Sequence, residues 1–298
     1  MNFERINPMN RRNFLGTIPA AMLLTPLIRP GAFPWFPDDE DFLLCTKKFE
    51  LAVSRNLARL PINEAVVEIG RTFLGTQYVA NALEVTGEER LVVNMRGLDC
   101  VSFYENALVL ARCIKLNRMT FEEYKNQLQL IRYRGGVIKG YPSRLHYTSD
   151  YFFDNEKKGI WKNMTKELGG VPLKKTLNFM STHPDSYRQL KENGEFRKII
   201  AAQEREISSR ETYYIPKEKV GSIAAKMQSG DIIGITTDVE GLDTSHTGIA
   251  VREEGQLTFM HAPLAGKKVE ITESTLPEYL ARNKRQTGIM VVRPLEPA

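Results

Sequence analysis

The spacing of apolar and polar residues divides the chain into a helical first part and a strand-rich last part. Apolar positions recur at helical spacing over 42–60 and 121–131, which predicts amphipathic helices. From residue 230 onward, short β-branched runs alternate with Gly, Asp, Asn or charged turns, which predicts strands. The predicted strands are 231–236, 247–252, 257–261, 268–271 and 288–292, with a small helix at 276–282.

This order of elements predicts an α+β fold, because helices come first and a sheet with short, antiparallel connections comes last. Pro61 ends the first helix, and Asn63 is predicted to cap the second, which ends before Gly75. The stretch 141–170 is rich in aromatic and turn residues and predicts a long ordered loop. The charged segment 184–209 predicts a surface helix.

The N-terminus predicts an export signal over residues 1–32. Adjacent Arg11 and Arg12 precede Phe14 and Leu15, as in a twin-arginine signal. The apolar run that follows is too short, and too interrupted by proline, to span a bilayer in the mature protein. The alternative is an amphipathic segment of a cytosolic protein. We expect export, to the periplasm of a Gram-negative-type bacterium, with cleavage near Ala32.

The remaining residues, 33–298, show no repeat and no break in composition, so we expect one domain with an inserted loop region at about 134–170. Hydrophobic residues make up 42% and charged residues 26% of the chain, as in soluble globular proteins. The net charge of +5 is scattered, without a basic run interleaved with aromatics, which argues against nucleic-acid binding. A mildly basic surface would suit an anionic polymer such as cell wall, or would simply be solvated.

The stretch RGLDCVSFYENALVL, residues 96–110, places a cysteine at the start of a predicted helix. Asp99 fits an N-cap, and Cys100 follows it. Helix N-termini favour a thiolate over a thiol, so Cys100 is a candidate nucleophile. The ordinary alternative is that it packs in the core, which is what we expect of Cys45 and Cys113, since both lie inside helical patterns. The three cysteines show neither metal nor disulfide spacing, and no metal or other cofactor is expected.

A cysteine nucleophile needs a base, and that base needs a third group to orient it. His246 begins one predicted strand and His261 ends the next, so antiparallel pairing can bring the two rings together. Each could also be a structural histidine. His183 is expected only to begin a helix, whereas His146 lies in the aromatic loop, where substrate recognition is plausible.

Several motifs together resemble the NlpC-type, papain-like cysteine hydrolases of bacterial cell wall. They are LDCVSF around Cys100, GDIIGI at 230–235, DTSHTGIAV around His246 and MHAP around His261. Within that superfamily, RYRGG at 132–136 and SRLHYTSDYFFDN at 143–155 are similar to the N-acetylmuramoyl-L-alanine amidase-like branch. The resemblance implies a nucleophile helix packed on a small antiparallel, barrel-like sheet, and cleavage of an amide bond in peptidoglycan.

The resemblance also implies roles for individual residues. Cys100 matches the nucleophile, His246 the base and His261 the polar residue that orients it. Asp99 and Ser102 match the flanking residues that help to bind the peptide stem, although Asp-Cys-Val-Ser-Phe here replaces the frequent Asp-Cys-Ser-Gly-Phe. The other candidates for substrate binding are Arg134, Arg144, His146, Tyr147, Asp150 and Asp243.

We therefore expect a cysteine amidase that separates muramic acid from L-alanine in peptidoglycan fragments, including anhydro-muropeptides. One alternative is an endopeptidase that cuts between D-glutamate and the diamino acid. Another is a zinc amidase using His246, His261 and Asp243, although no H-x-H or H-E-x-x-H spacing is present. A third is a protein that binds peptidoglycan without cutting it. The oligomeric state is left open.

Overall fold

The computed structural model describes residues 39–298, so the predicted export signal lies outside the described residues. The α-helices of this part are α1 (Asp39–Ser54), α2 (Ile62–Arg71), α3 (Cys100–Lys115), α4 (Phe121–Arg132), α5 (Thr148–Lys157), α6 (Phe179–Thr182), α7 (Arg188–Glu192), α8 (Gly194–Ser209), α9 (Lys217–Ile223) and α10 (Leu276–Ala281). Across residues 39–298, every helix is too short or too polar to cross a membrane.

The strands of the same part are β1 (Gln77–Tyr78), β2 (Gly97–Leu98), β3 (Trp161–Asn163), β4 (Val171–Pro172), β5 (Tyr213–Pro216), β6 (Ile232–Thr237), β7 (Thr244–Glu253), β8 (Gln256–His261), β9 (Glu270–Ile271) and β10 (Gln286–Pro294). The main sheet has the order β4-β5-β10-β6-β7-β8-β9, and β3 also pairs with β10. All of these pairings are antiparallel. The predicted α+β class is confirmed.

β7 and β8 form a hairpin that carries both candidate histidines. Its turn consists of Glu254 and Gly255, whose φ angles of 49° and 83° are the positive values that two-residue hairpin turns use. Ile249 pairs with Met260. Continuing that register by one residue sets His261 opposite Gly248, diagonally across from His246 on the same face.

Helix α3 is buried along nearly its whole length and packs against β7. Because successive residues of a strand point to opposite faces, β7 contributes to two cores. Ile249 and Val251 join the core around α3, and Ala250 joins a second core that contains Phe259. The free thiols of Cys45 and Cys113 are fully buried, as predicted.

The start of α2 differs from the prediction. The helix begins at Ile62, and its N-cap is Pro61. Asn63 lies within the first turn, and its side-chain amide donates to the carbonyl of Ser229, at 2.9 Å. The predicted cap was wrong because Asn63 bonds to a residue distant in the sequence instead of to its own helix.

The predicted loop 141–170 was also wrong in part, because it contains α5. Polar groups occupy part of the buried face of this helix. Asp150 pairs with arginines, and the side-chain amide of Asn155 donates to the carbonyl of Ile131, at 2.8 Å. A helix that buries polar groups gives a weak apolar pattern, which explains the missed element.

The charged segment 184–209 is interrupted at Asn193. The Asn193 side chain caps α8 by accepting hydrogen bonds from the N–H groups of Glu195 and Phe196. One face of α8 is buried through Ile200, Glu204 and Ile207, so this helix is not confined to the surface.

Candidate active site

Asp99 and Ser102 build the start of α3, where Cys100 is the first residue. The Asp99 carboxylate accepts hydrogen bonds from the N–H groups of Val101 (3.1 Å) and Ser102 (2.7 Å). The Ser102 hydroxyl donates to the same carboxylate (2.8 Å) and accepts from the Asp99 N–H (2.9 Å). This reciprocal capping box fixes the position of the thiol. Ser102 is 1% exposed, so its hydroxyl caps the helix and is not available for the predicted contact with a peptide stem.

The structure brings His246 and His261 together. His246 Nε2 lies 2.7 Å from His261 Nδ1, and the two rings are nearly perpendicular, at 77°. His246 is half-buried, whereas His261 is 1% exposed. The distance is that of a hydrogen bond, so one of these two nitrogens carries a proton that the other accepts.

The half-buried thiol of Cys100 lies against β7 at Thr247, the residue after His246. Burial, followed by the negative charge of Asp99, raises the pKa of Cys100 to about 11. The nearby Thr247 acts in the opposite direction and lowers this pKa, but by less. The expectation of a stabilised thiolate was therefore wrong, because loss of solvation outweighs the effect of the helix start.

The two imidazoles are also held uncharged. Burial lowers the pKa of His246 to about 4, and burial together with His246 lowers that of His261 to about 3. At neutral pH the site therefore contains a thiol and two neutral imidazoles. A reaction that starts from Cys100 must therefore move the thiol proton to a base as the sulfur attacks.

Sequence reasoning missed several residues around the thiol and the histidines. Tyr78 lies near Cys100. Burial raises the pKa of the Tyr78 hydroxyl, and the charges of Cys100 and Asp99 raise it further. Phe259 and Tyr279 pack against His261. An aromatic residue in a short strand or helix has the pattern of an ordinary core residue, so the sequence carries no signal for these positions.

Arg134 and Asp150, two predicted substrate-binding residues, form an ion pair at 2.6 Å. A second guanidinium, that of Arg210 just after α8, also lies 2.6 Å from the Asp150 carboxylate. Asp150 is 1% exposed between these two cations. Its charge is thus balanced within the protein, and Arg210 is a partner that no local motif indicated.

Arg144, another predicted substrate-binding residue, is 5% exposed and holds a distant segment in place. Its guanidinium contacts the carboxylates of Glu84 (2.6 Å) and Glu89 (3.5 Å). It also lies over the ring of Tyr141, 4.8 Å from the centroid. These contacts give Arg144 a role in fixing the chain between β1 and β2.

His146 and Tyr147 make internal hydrogen bonds. His146 Nε2 donates to the carbonyl of Tyr141 at 3.0 Å. Burial, followed by the charge of Arg144, lowers the pKa of His146 to about 3. The hydroxyl of Tyr147 donates to the buried carboxylate of Glu204, at 2.7 Å. Glu204 is a further partner that the sequence did not indicate.

Asp243 is 1% exposed, and both of its oxygens are engaged. They accept the N–H groups of Ser149 and Thr244, each at 2.7 Å. Burial raises the pKa of its carboxyl group. Within residues 39–298, no three side chains of His, Cys, Asp or Glu are grouped so that they could hold a metal ion, and Asp243 does not form such a set with the two histidines.

Comparison with solved structures identifies close neighbours in fold and sequence. An N-acetylmuramoyl-L-alanine amidase from Bacteroides uniformis is 34% identical with a TM-score of 0.74, covering 77% of this chain and 98% of its own. A Bacteroides fragilis protein that carries the provisional name of a xylanase is 39% identical with a TM-score of 0.72, covering 75% and 98%. A Legionella pneumophila protein shares the fold at 20% identity, with a TM-score of 0.65 and coverage of 87% and 95%.

No curated protein sequence matches the chain. A family model, that of the AmiA-like, N-acetylmuramoyl-L-alanine amidase-like proteins, matches residues 68–289. That match includes Cys100, His246 and His261 and extends over most of the described residues. The chain therefore belongs to the AmiA-like family of N-acetylmuramoyl-L-alanine amidase-like proteins.

Proposed function

We propose that the protein is a cysteine amidase that hydrolyses the bond between N-acetylmuramic acid and L-alanine in peptidoglycan fragments. The observation that supports this most is the 2.7 Å distance between His246 Nε2 and His261 Nδ1. His246 lies on β7, the strand that the Cys100 thiol meets at Thr247. We assign Cys100 as the nucleophile, His246 as the base and His261 as the orienting group. A papain-like mechanism remains part of this proposal.

In the proposed first step, Cys100 attacks the lactyl carbonyl carbon while its proton moves to Nδ1 of His246. His246 can accept that proton when its Nε2–H donates to His261 Nδ1, because Nδ1 then carries a lone pair. The N–H groups of Val101 and Ser102 are taken by Asp99, so the N–H of Cys100 is the donor at the helix start that we assign to the developing oxyanion.

In the proposed second step, the carbon–nitrogen bond breaks and His246 returns the proton to the departing amine of L-alanine. A thioester between Cys100 and the muramyl lactyl group is left. A water molecule, deprotonated by His246, then attacks the thioester carbonyl and releases the muramyl carboxylate, while the sulfur recovers its proton.

Arg134, Arg144, His146, Tyr147, Asp150 and Asp243 remain proposed substrate-binding residues, but their internal contacts support a different contribution. They hold α5, α8 and the segment around Glu84 in place beside α3 and the sheet. We propose that these residues shape the substrate site chiefly through that positioning, and that small muropeptides fit it better than intact cell wall.

The deciding experiment is digestion of a defined muropeptide, N-acetylmuramoyl-tripeptide, with product masses read by mass spectrometry. An amidase releases the intact tripeptide and N-acetylmuramic acid. An endopeptidase releases the diamino acid and leaves a muramyl dipeptide, and a binding protein leaves the substrate unchanged; either result would overturn the proposal. Xylan serves as a second substrate, for which we expect no hydrolysis.

The matched variants are Cys100→Ser and Cys113→Ser. Because Cys113 is fully buried within the same helix, its replacement tests for general damage to α3. We expect Cys100→Ser to lose at least about a thousandfold in turnover and Cys113→Ser to stay active. Turnover that a chelator abolishes but iodoacetamide does not would favour a metal amidase.

We also propose that the protein is exported to the periplasm, where peptidoglycan fragments form. The pair Arg11 and Arg12 supports this proposal. Fractionation of cells that express the full chain tests it: replacing both arginines with lysine is expected to hold the protein in the cytoplasm, and unchanged periplasmic delivery would refute a twin-arginine signal.

A further inference from the structure

The far nitrogen of His261 is in an unusual environment. His261 is 1% exposed, and its Nδ1 is engaged with His246. Its Nε2 is buried and has no hydrogen-bond partner among residues 39–298. Buried polar nitrogens nearly always have a hydrogen-bond partner, so the groups that surround Nε2 must explain why this nitrogen has none.

Two aromatic rings, which we call the aromatic clamp, enclose His261. Phe259 stacks on the imidazole, with 4.7 Å between centroids and 29° between planes. Tyr279 meets it at right angles, with 5.1 Å between centroids and 77° between planes. The two clamp rings also contact each other, at 5.5 Å. At 77°, one of the His261 and Tyr279 rings presents its edge to the face of the other.

The clamp depends on a glycine in the neighbouring strand. A Cβ atom at Gly248 would lie 2.7 Å from the Phe259 ring and 2.6 Å from the carbonyl oxygen of Met260. Only glycine at position 248 therefore leaves room for the Phe259 ring to pack against β7. Phe259 also makes a T-shaped contact with His246, with 5.8 Å between centroids and 76° between planes.

The histidine pair has two possible neutral arrangements, and only one is useful for the proposed reaction. If His246 Nε2–H donates to His261 Nδ1, His261 carries its own proton on Nε2, and Nδ1 of His246 is free to accept a proton. If His261 Nδ1–H donates instead, Nδ1 of His246 already carries a proton and cannot act as a base.

An aromatic face distinguishes between these arrangements. The face is the negative region of the ring, so it attracts an N–H group and repels a nitrogen lone pair. In the useful arrangement, His261 Nε2 carries a hydrogen that a ring face can accept. In the other arrangement, Nε2 of His261 would direct a lone pair toward the clamp, where no group of residues 39–298 donates a hydrogen bond to it.

We propose that Tyr279 is a positioning residue whose ring face accepts the Nε2–H of His261 and so selects the tautomer that lets His246 act as a base. Phe259 holds the His261 ring flat in that orientation. The effect belongs to the aromatic ring and not to the tyrosine hydroxyl. Its kinetic consequence rests on the proposed function, whereas the tautomer of His261 does not.

The tautomer is measured first, by ¹⁵N NMR of histidine-labelled Cys100→Ser protein at pH 7. The nitrogen shifts distinguish an N–H from a lone pair, and we expect the proton on Nε2 of His261 and the lone pair on Nδ1. We also expect the Nε2–H proton to be shifted upfield by the ring current of Tyr279. A proton on Nδ1, or an Nε2–H without the upfield shift, would overturn the proposal. Phe259 and Tyr279 are both unchanged in this experiment.

Variants then separate the ring from its hydroxyl. Tyr279→Phe keeps the ring, so we expect the same tautomer and a kcat within twofold of the wild type. Tyr279→Leu removes it, and we expect mixed tautomers and a kcat lower by about fivefold or more, with KM little changed. A single Nε2–H tautomer in Tyr279→Leu would overturn the proposal.

The matched control is Phe179→Leu. Phe179 lies on α6, and its ring stacks on that of His183, with 4.4 Å between centroids. We expect Phe179→Leu to leave kcat and the His261 tautomer unchanged. If muropeptides are not hydrolysed at all, the proposed function fails, but the NMR result still decides the role of Tyr279.

Discussion

At the scale of single residues, the response of Cys100 to pH follows from its burial. Iodoacetamide reacts with the thiolate, and a pKa of about 11 means that the thiolate fraction grows about tenfold for each pH unit between 7 and 10. We expect the alkylation rate of Cys100 to rise with that slope, measured by mass spectrometry of the labelled peptide. A plateau below pH 8 would instead reveal a thiolate–imidazolium pair.

The role of His261 is tested by its ability to accept a hydrogen bond from His246. His261→Asn and His261→Gln keep a side-chain oxygen that can accept, so we expect them to retain much more activity than His261→Ala. His246→Gln should be worse than all three, because an amide cannot take the thiol proton near neutral pH. Initial rates on a muropeptide provide the comparison; wild-type turnover by His261→Ala would assign the third role elsewhere.

At the scale of elements, Asp99 does two things at the start of α3: it caps the helix, and its negative charge raises the pKa of Cys100. Asp99→Ala removes the cap and should cost about 1 kcal/mol of stability, measured by urea unfolding. Asp99→Asn can still cap the helix but removes the negative charge that raises the pKa of Cys100. We expect Asp99→Asn to keep its stability and to show faster alkylation at pH 8. Equal alkylation rates in Asp99→Asn and the wild type would mean that burial alone sets this pKa.

The elements also show which parts of the fold a sequence can predict. The strands of the histidine hairpin were predicted because β-branched runs and turn residues are local signals. Helix α5 was missed because its buried face includes the polar residue Asp150. The carboxylate of Asp150 pairs with Arg134 and Arg210, which lie outside the helix. Motifs in the sequence singled out Cys100, His246 and His261 as candidates, whereas Phe259 and Tyr279 acquire their positions only when β8 and α10 pack together.

At the scale of the whole molecule, a buried ion pair connects α3, the helix that begins at Cys100, to its neighbours. Arg132 on α4 lies 2.7 Å from the Glu105 carboxylate on α3, and both side chains are almost fully buried. The hydroxyl of Tyr151 on α5 donates to the same carboxylate, at 2.8 Å. Three helices therefore meet at one charge, and a shift of any of them would leave that charge unpaired, at a cost of about 3–5 kcal/mol. Cys100 is held in place by this network as well as by its local cap.

The part of the chain that the structure describes carries three neutral imidazoles with lowered pKa values, those of the half-buried His146 and His246 and the buried His261, and this predicts sensitivity to acid. The pKa values of His146 and His261 are lowered to about 3 and that of His246 to about 4, from an ordinary value of 6.5. Below pH 6.5 the unfolded chain binds protons at these sites, whereas the folded protein does not until about pH 4. The stability that they confer is therefore complete above pH 6.5 and is lost as the pH falls toward 4.

The size of this loss can be measured. At pH 5, each histidine would lower the free energy of unfolding by about 2 kcal/mol, or up to about 6 kcal/mol together. We expect urea unfolding at pH 5 and pH 7 to differ by several kcal/mol. His146→Gln, which removes one of these groups and can still donate to the carbonyl of Tyr141, should reduce that difference by about 2 kcal/mol. An unchanged difference in this variant would show that His146 is protonated in the folded protein, and that burial does not hold its ring neutral.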